Sequence, residues 1–157
     1  MKKTNHKGFT LIELLLVIAV IVALAVTVFV ALNPATRLAQ ARDARRTADV
    51  DAILTATQEY IVDHAGSLPP GVSTSTDTMI GTCGTSVATS TGGCSTAAAA
   101  CFNASTTYAS YFAGAPYDPL YGSATQTYYA IVASSTTGIV TVKACGVEKL
   151  SQIWSSR

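Results

Sequence analysis

From Phe9 to Leu32 the chain runs for 24 residues in which only Thr10, Glu13 and Thr27 are not hydrophobic. As a helix rising ~1.5 Å per residue, that run covers about 36 Å, slightly more than the ~30 Å hydrocarbon core of a bilayer. Lys2, Lys3 and Lys7 precede it, and no basic residue follows until Arg37. That asymmetry places the start of the chain in the cytoplasm and the rest outside. A carboxylate near the mouth of such a helix is costly to bury. Glu13 therefore calls for an explanation that a plain membrane anchor does not supply.

The 157 residues suit one compact domain with an appendage, and the 49% hydrophobic content overstates the core because much of it lies in the run. Without residues 1–8 the chain would hold 7 basic and 9 acidic residues, a net charge of −2. That balance argues against a general polyanion binder. The arginines between Arg42 and Arg46 are interrupted by Asp43 and followed by Asp49 and Asp51, so they read as a solvated helix face rather than a nucleic-acid surface.

Asn33-Pro34 punctuates the run, because proline removes a helical hydrogen bond to Val30 and disfavours helix at the residue before it. Helical patterning resumes at once. Val50, Ile53, Leu54, Thr57, Tyr60 and Ile61 recur at spacings of three and four and form one stripe. Arg46 lies three residues from both Asp43 and Asp49, which predicts weak local pairs on the opposite face. Gly66 and Pro69-Pro70 stop the helix. Segments 9–33 and 34–65 thus predict one long helical arm with a kink at Pro34.

Residues 66–107 are more than half Gly, Ser or Thr (23 of 42) and offer little to bury, which predicts a loop region held by cross-links. Cys83, Cys94, Cys101 and Cys145 contain no C-x-x-C spacing, so they read as two disulfides in an oxidising compartment rather than a zinc site. Of the three pairings, the expectation is Cys83–Cys94 closing the loop and Cys101–Cys145 tying its end to a strand. In residues 108–157, "TYYAIVA" (127–133) and "GIVTVKAC" (138–145) predict an antiparallel hairpin across "SSTT". "VEKLSQIW" (147–154) adds a last strand, and "APYDPLYG" (115–122) a turn-rich connection. The fold class is α+β: a long N-terminal helix packed on a small antiparallel sheet.

Catalytic chemistry finds no foothold. His64 stands at a helix end, no G-x-S-x-G elbow or phosphate loop occurs, and Asp77, Asp118 and Glu148 are too few for a calcium cage. No catalytic residue, metal or cofactor is expected.

"KGFTLIELLLVIAVIVAL" resembles the N-terminus of bacterial type IV pilins and of the related pseudopilins of type II secretion. In that family a short basic leader ends in glycine, followed by phenylalanine and then glutamate four residues on. Gly8, Phe9 and Glu13 match in identity and spacing. The resemblance covers residues 1 to about 32. It implies that residues 1–8 are a leader cut between Gly8 and Phe9 by a prepilin peptidase, and that the new Phe9 amine is N-methylated. It further implies storage as a single-pass subunit in the cytoplasmic membrane, then polymerisation outside by an assembly ATPase and a membrane platform protein. Glu13 would neutralise the buried Phe9 amine of a neighbouring copy and so reward one register. A pseudopilin of a secretion system and a DNA-uptake pilin are the alternatives within this class. A membrane-anchored extracellular binding domain is the alternative outside it.

Overall fold

A computed structural model describes residues 8–82, 94, 96–112 and 114–157. Helix α1 spans Leu11–Leu32, and none of its residues is buried within the chain. Because it is apolar on every side it has no stripe to lay on a core, which is the pattern of a helix made for lipid or for other helices. It is the one helix among the described residues long and apolar enough to cross a membrane. It ends at Asn33, whose left-handed backbone (φ 41°) halts the spiral. Helix α2, Pro34–Asp63, starts at the next residue. The Asn33 carbonyl accepts from the amides of Thr36 and Arg37, so a single residue closes one helix and opens the other. Proline tolerates the first helical position because an amide there would be unpaired anyway.

The chain divides into two compact units, up to Leu38 and from Ala39 to Arg157. In the second unit, α2 buries Ala39, Asp43, Arg46, Val50, Ile53, Leu54, Ala56 and Thr57. Five strands follow: β1 Asp77–Gly81, β2 Thr96–Asn103, β3 Tyr129–Ala133, β4 Val140–Ala144 and β5 Ile153–Ser156. A four-residue helix, α3 (Ala104–Thr107), comes directly after β2. The sheet order is β2-β1-β3-β4-β5. The expected hairpin is β3–β4, with Tyr129 opposite Ala144, Ile131 opposite Val142 and Ala133 opposite Val140. Strand alternation sends these six, with Ile153, into one core with Val50, Ile53, Leu54, Ile80 and Phe102. Met79, Ala130, Cys94 and Cys145 form a second, smaller cluster, with Tyr128 packed against it.

Three expectations are corrected. First, residues 66–107 hold two strands, and β1 pairs with β2 in parallel, so the sheet is mostly rather than wholly antiparallel. Strand β1 is buried along its whole length, so it shows no alternation, and the alanine-rich β2 has weak strand propensity. Secondly, the last strand starts at Ile153 rather than Val147. The amides of Glu148, Lys149 and Leu150 are taken by the Asp43 carboxylate at 3.1, 2.7 and 3.1 Å, so they do not serve a ladder.

Thirdly, Cys94 is bonded to Cys145, with a Cα–Cα distance of 5.3 Å, so neither expected pair forms. Cys101 lies on β2, while Cys145 follows β4. Two strands stand between them, so three strand spacings of ~4.8 Å far exceed the ~7 Å limit for a bridge. Cys101 is itself disulfide-bonded. Cys83 lies outside the described residues.

Candidate processing and assembly site

Gly8 and Phe9 precede α1 outside any helix or strand and are exposed. A Cβ added at Gly8 would meet nothing within 4 Å, and Phe9 is 91% exposed. Thr10 is the N-cap of α1, with extended backbone (φ −82°, ψ 150°). The Glu13 amide donates to Thr10 Oγ1 at 3.3 Å. In return, Glu13 Oε2 accepts from the Thr10 amide at 2.8 Å and the Thr10 hydroxyl at 2.7 Å. This is a reciprocal capping box, which supplies partners for amides that a helix start leaves orphaned. Glu13 Oε1 accepts no hydrogen bond among the described residues. One carboxylate oxygen thus shapes the helix start.

Thr10 was not singled out by sequence reasoning, although its signal is plain. Thr10-Leu-Ile-Glu13 is an S/T-x-x-E/Q box directly before an apolar run. Pro34 sits at the α1–α2 junction, four residues beyond the Val30 carbonyl it cannot bond.

A second constellation holds the head together, and here the expected solvated arginine face is corrected. Arg46 is fully buried. Its Nε and Nη2 donate to the two oxygens of Asp118 at 2.6 and 3.1 Å, and its Nη1 donates to Asp43 (2.7 Å) and Glu148 (3.0 Å). Arg42 adds a fork onto Glu148 at 2.6 and 2.8 Å. Asp118 also accepts the amides of Leu120 and Tyr121, and so shapes the 118–122 turn. The space is tight. A Cβ at Gly146 would lie 2.6 Å from Asp118 Oδ2, and one at Gly122 would strike the Asp118 backbone. Arg45, not Arg46, approaches Asp49, at 3.7 Å. Extending the apolar stripe one turn back from Val50 reaches Arg46, so its burial was legible. Its partners, 72 and 102 residues away in sequence, were not.

The head's three acidic side chains therefore all serve cations of the chain itself, with Asp77 accepting from Lys143 Nζ at 2.8 Å. Among the described residues no His, Cys, Asp or Glu group is arranged to hold a metal. His64 is exposed and stacks on Tyr60 at 3.8 Å, and its ring shares a hydrogen bond with the Tyr60 carbonyl.

Burial pushes the Asp43 carboxyl up, but the amides of Lys149, Glu148 and Leu150 and the Arg46 guanidinium outweigh it and hold it below 3.8. Asp118 shows the same balance, burial against the Arg46 fork and two turn amides. Glu148 is held down to about 2, first by the Arg42 hydrogen bonds. Groups with depressed folded values stabilise the fold above their unfolded values and lose that contribution as pH falls through the folded ones. The unfolded values are near 3.8 and 4.5. Head stability should thus be insensitive to these groups above about pH 5 and should drop steadily from there toward pH 2. Denaturant melts of the full chain across that range check it. A midpoint unchanged down to pH 2.5 would contradict the network.

The segment 3–29 matches the family model described as the prokaryotic N-terminal methylation motif. No curated protein and no solved structure matches the chain. The long apolar helix, a second helix and a small, mostly antiparallel five-stranded sheet form an α+β, pilin-like fold. With the methylation motif at its start and this architecture behind it, the chain is consistent with the type IV pilin-like family.

Proposed function

We propose that this chain is a structural subunit, not an enzyme, that polymerises into an extracellular type IV pilus-like filament. The observation that carries the reading is α1, a helix with no buried residue that begins two residues after the phenylalanine of the methylation motif and offers one carboxylate four residues after it. Before assembly, lipid covers α1, the N-terminus is cytoplasmic and the head lies outside. Cleavage between Gly8 and Phe9 creates a cationic amine with a reference pKa near 8. In a core of packed apolar helices that amine needs a counter-charge. Glu13 of a neighbouring copy supplies it through the oxygen its own cap leaves open. The segments read from sequence stand in this proposal as leader (1–8), filament-core helix (9–33), amphipathic helix (34–65) and a head made of the rest.

The partners implied are further copies of the chain, a prepilin peptidase, and an assembly ATPase with its membrane platform. A glycine at the cut leaves room for close backbone approach in the peptidase. Gly8→Val should therefore abolish processing and leave full-length chain in the membrane. The N-terminal mass of membrane-extracted protein checks this, and wild type should begin at methylated Phe9. A mature wild-type chain starting near Ala25 or Ala35 would mean conventional signal cleavage and would overturn the proposal. Mature chain abundant in fibres sheared from cells would support a filament subunit. Its confinement to the envelope would favour the pseudopilin alternative.

A further inference from the structure

Most basic side chains of the second unit are paired within it. Arg42 and Arg46 hold Glu148, Asp118 and Asp43, Lys143 holds Asp77, and Arg45 approaches Asp49. Lys149 differs. Its amide serves Asp43, but its side chain is exposed and its ammonium has no ion-pair partner among the described residues. Leu150 beside it is 53% exposed. The later part of α2 carries the counterpart. Glu59, Val62 and Asp63 line an open groove of about 430 Å³ together with Tyr111 and Arg157. Val62 is 78% exposed. Asp63 accepts the Tyr111 hydroxyl at 2.7 Å, and among the described residues neither carboxylate has an ion-pair partner. Two carboxylates against the one guanidinium of Arg157 leave the groove a net side-chain charge of −1.

Asp43, which anchors the Lys149 amide, stands sixteen residues before Glu59. That is ~24 Å along α2 and a rotation of about 160°, so the two patches lie toward opposite ends of the helix and on opposite sides of it. We infer that they bind each other between copies of this chain, with Lys149 and Leu150 of one copy seated in the Glu59–Val62–Asp63 groove of the next. The inference rests on the filament reading above and adds to it a contact between heads, made by a loop and a groove. The halves match part for part. An ammonium meets two carboxylates, and a leucine covers an exposed valine. No other basic residue of the second unit fits as well. Arg157 lines the groove itself, and Arg45 has Asp49 nearby and no large apolar neighbour in sequence. The contact joins different patches on the two copies. Copies leaving one membrane share an orientation, so the pair does not close on itself and each copy keeps a free half for the next.

A carbodiimide, which joins an amine directly to a carboxylate, tests the contact on fibres sheared from wild-type cells. Within one chain Lys149 and Glu59 are too far apart for such a bond, so an amide from Lys149 to Glu59 or Asp63 reports two copies. Peptide mass spectrometry should find that amide, and the treated fibres should run as a ladder of multimers. Lys149→Glu should lower the yield of sheared fibres by about tenfold, with mature chain in the membrane unchanged. Adding Glu59→Lys to it should recover most of the yield. Wild-type fibres in which Lys149 links only to other carboxylates or to another protein, with no recovery in the double variant, would overturn the contact and leave the filament reading standing. Absence of wild-type fibres would overturn both.

Discussion

Arg46→Leu should destabilise the head by about 3–5 kcal/mol, the largest effect expected of any single substitution in it. The guanidinium is fully buried and serves Asp43, Asp118 and Glu148 at once. Leucine would fit the apolar stripe of α2, yet it would leave carboxylates facing one another without their counter-ion. Removing one member of a buried ion network costs far more than the network itself contributes, because the remaining charges stay desolvated. The loss should also spread. Asp118 shapes the 118–122 turn and Asp43 holds the amides of 148–150, so both loops should loosen with it. Thermal melts of the full chain in detergent should show a Tm lower by at least ~10 °C. Arg46→Lys keeps the charge but not the planar fork, and should fall between the two. An Arg46→Leu chain melting within ~2 °C of wild type would show that the carboxylates do not need it.

On the proposed reading, Glu13→Leu should leave membrane insertion and Gly8 cleavage intact while lowering sheared fibres at least ~10-fold, because it would remove the counter-charge to a buried amine. The substitution makes the segment more apolar, so a plain anchor would be retained at least as well. The capping box adds a distinction, since leucine removes the cap as well as the charge. Glutamine at the same position can still close the box with Thr10 but carries no charge. If the carboxylate acts by neutralising a neighbour's amine, Glu13→Gln should lose fibres nearly as fully as Glu13→Leu. Normal fibre yield from Glu13→Gln would assign Glu13 to capping alone. Comparing mature chain in the membrane with chain in sheared fibres decides between them.

The parts legible in sequence were those governed by local pattern. The α1 run, the stripe from Val50 to Ile61, and the β3–β4 hairpin each follow from residues within one segment. What escaped depends on tertiary context. Strand β1 is five residues with no exposed face, and β2 is largely alanine, so neither announces itself. The pairing of β1 with β2 then set which cysteines could meet, and Cys94–Cys145 became the bridge. At the N-terminus, Glu13 stood out as a carboxylate in an apolar run, and Gly8 and Phe9 stood out by the resemblance to type IV pilins. Thr10 was equally legible but looked like an ordinary polar residue at the edge of the run. The Arg46 network lies at the other extreme: its local partner Asp43 was legible, but Asp118 and Glu148 come from two loops whose positions only the folded sheet defines.

In the filament proposed above each subunit would bear load, and the Cys94–Cys145 bridge would then set how far one subunit can be drawn out. Tension applied between α2 and the C-terminus can peel strands, but it cannot extend the chain enclosed by the bridge. A separation of 51 residues, at ~3.4 Å each when fully extended, withholds roughly 170 Å of contour length from the pull. The bridge ends directly after β4, and β5 lies beyond it in sequence. Under force, β5 can therefore come away from its neighbour while β3 and β4 stay inside the closed loop. A subunit that yields in this way gives a short, bounded extension and keeps the template on which its last strand can pair again.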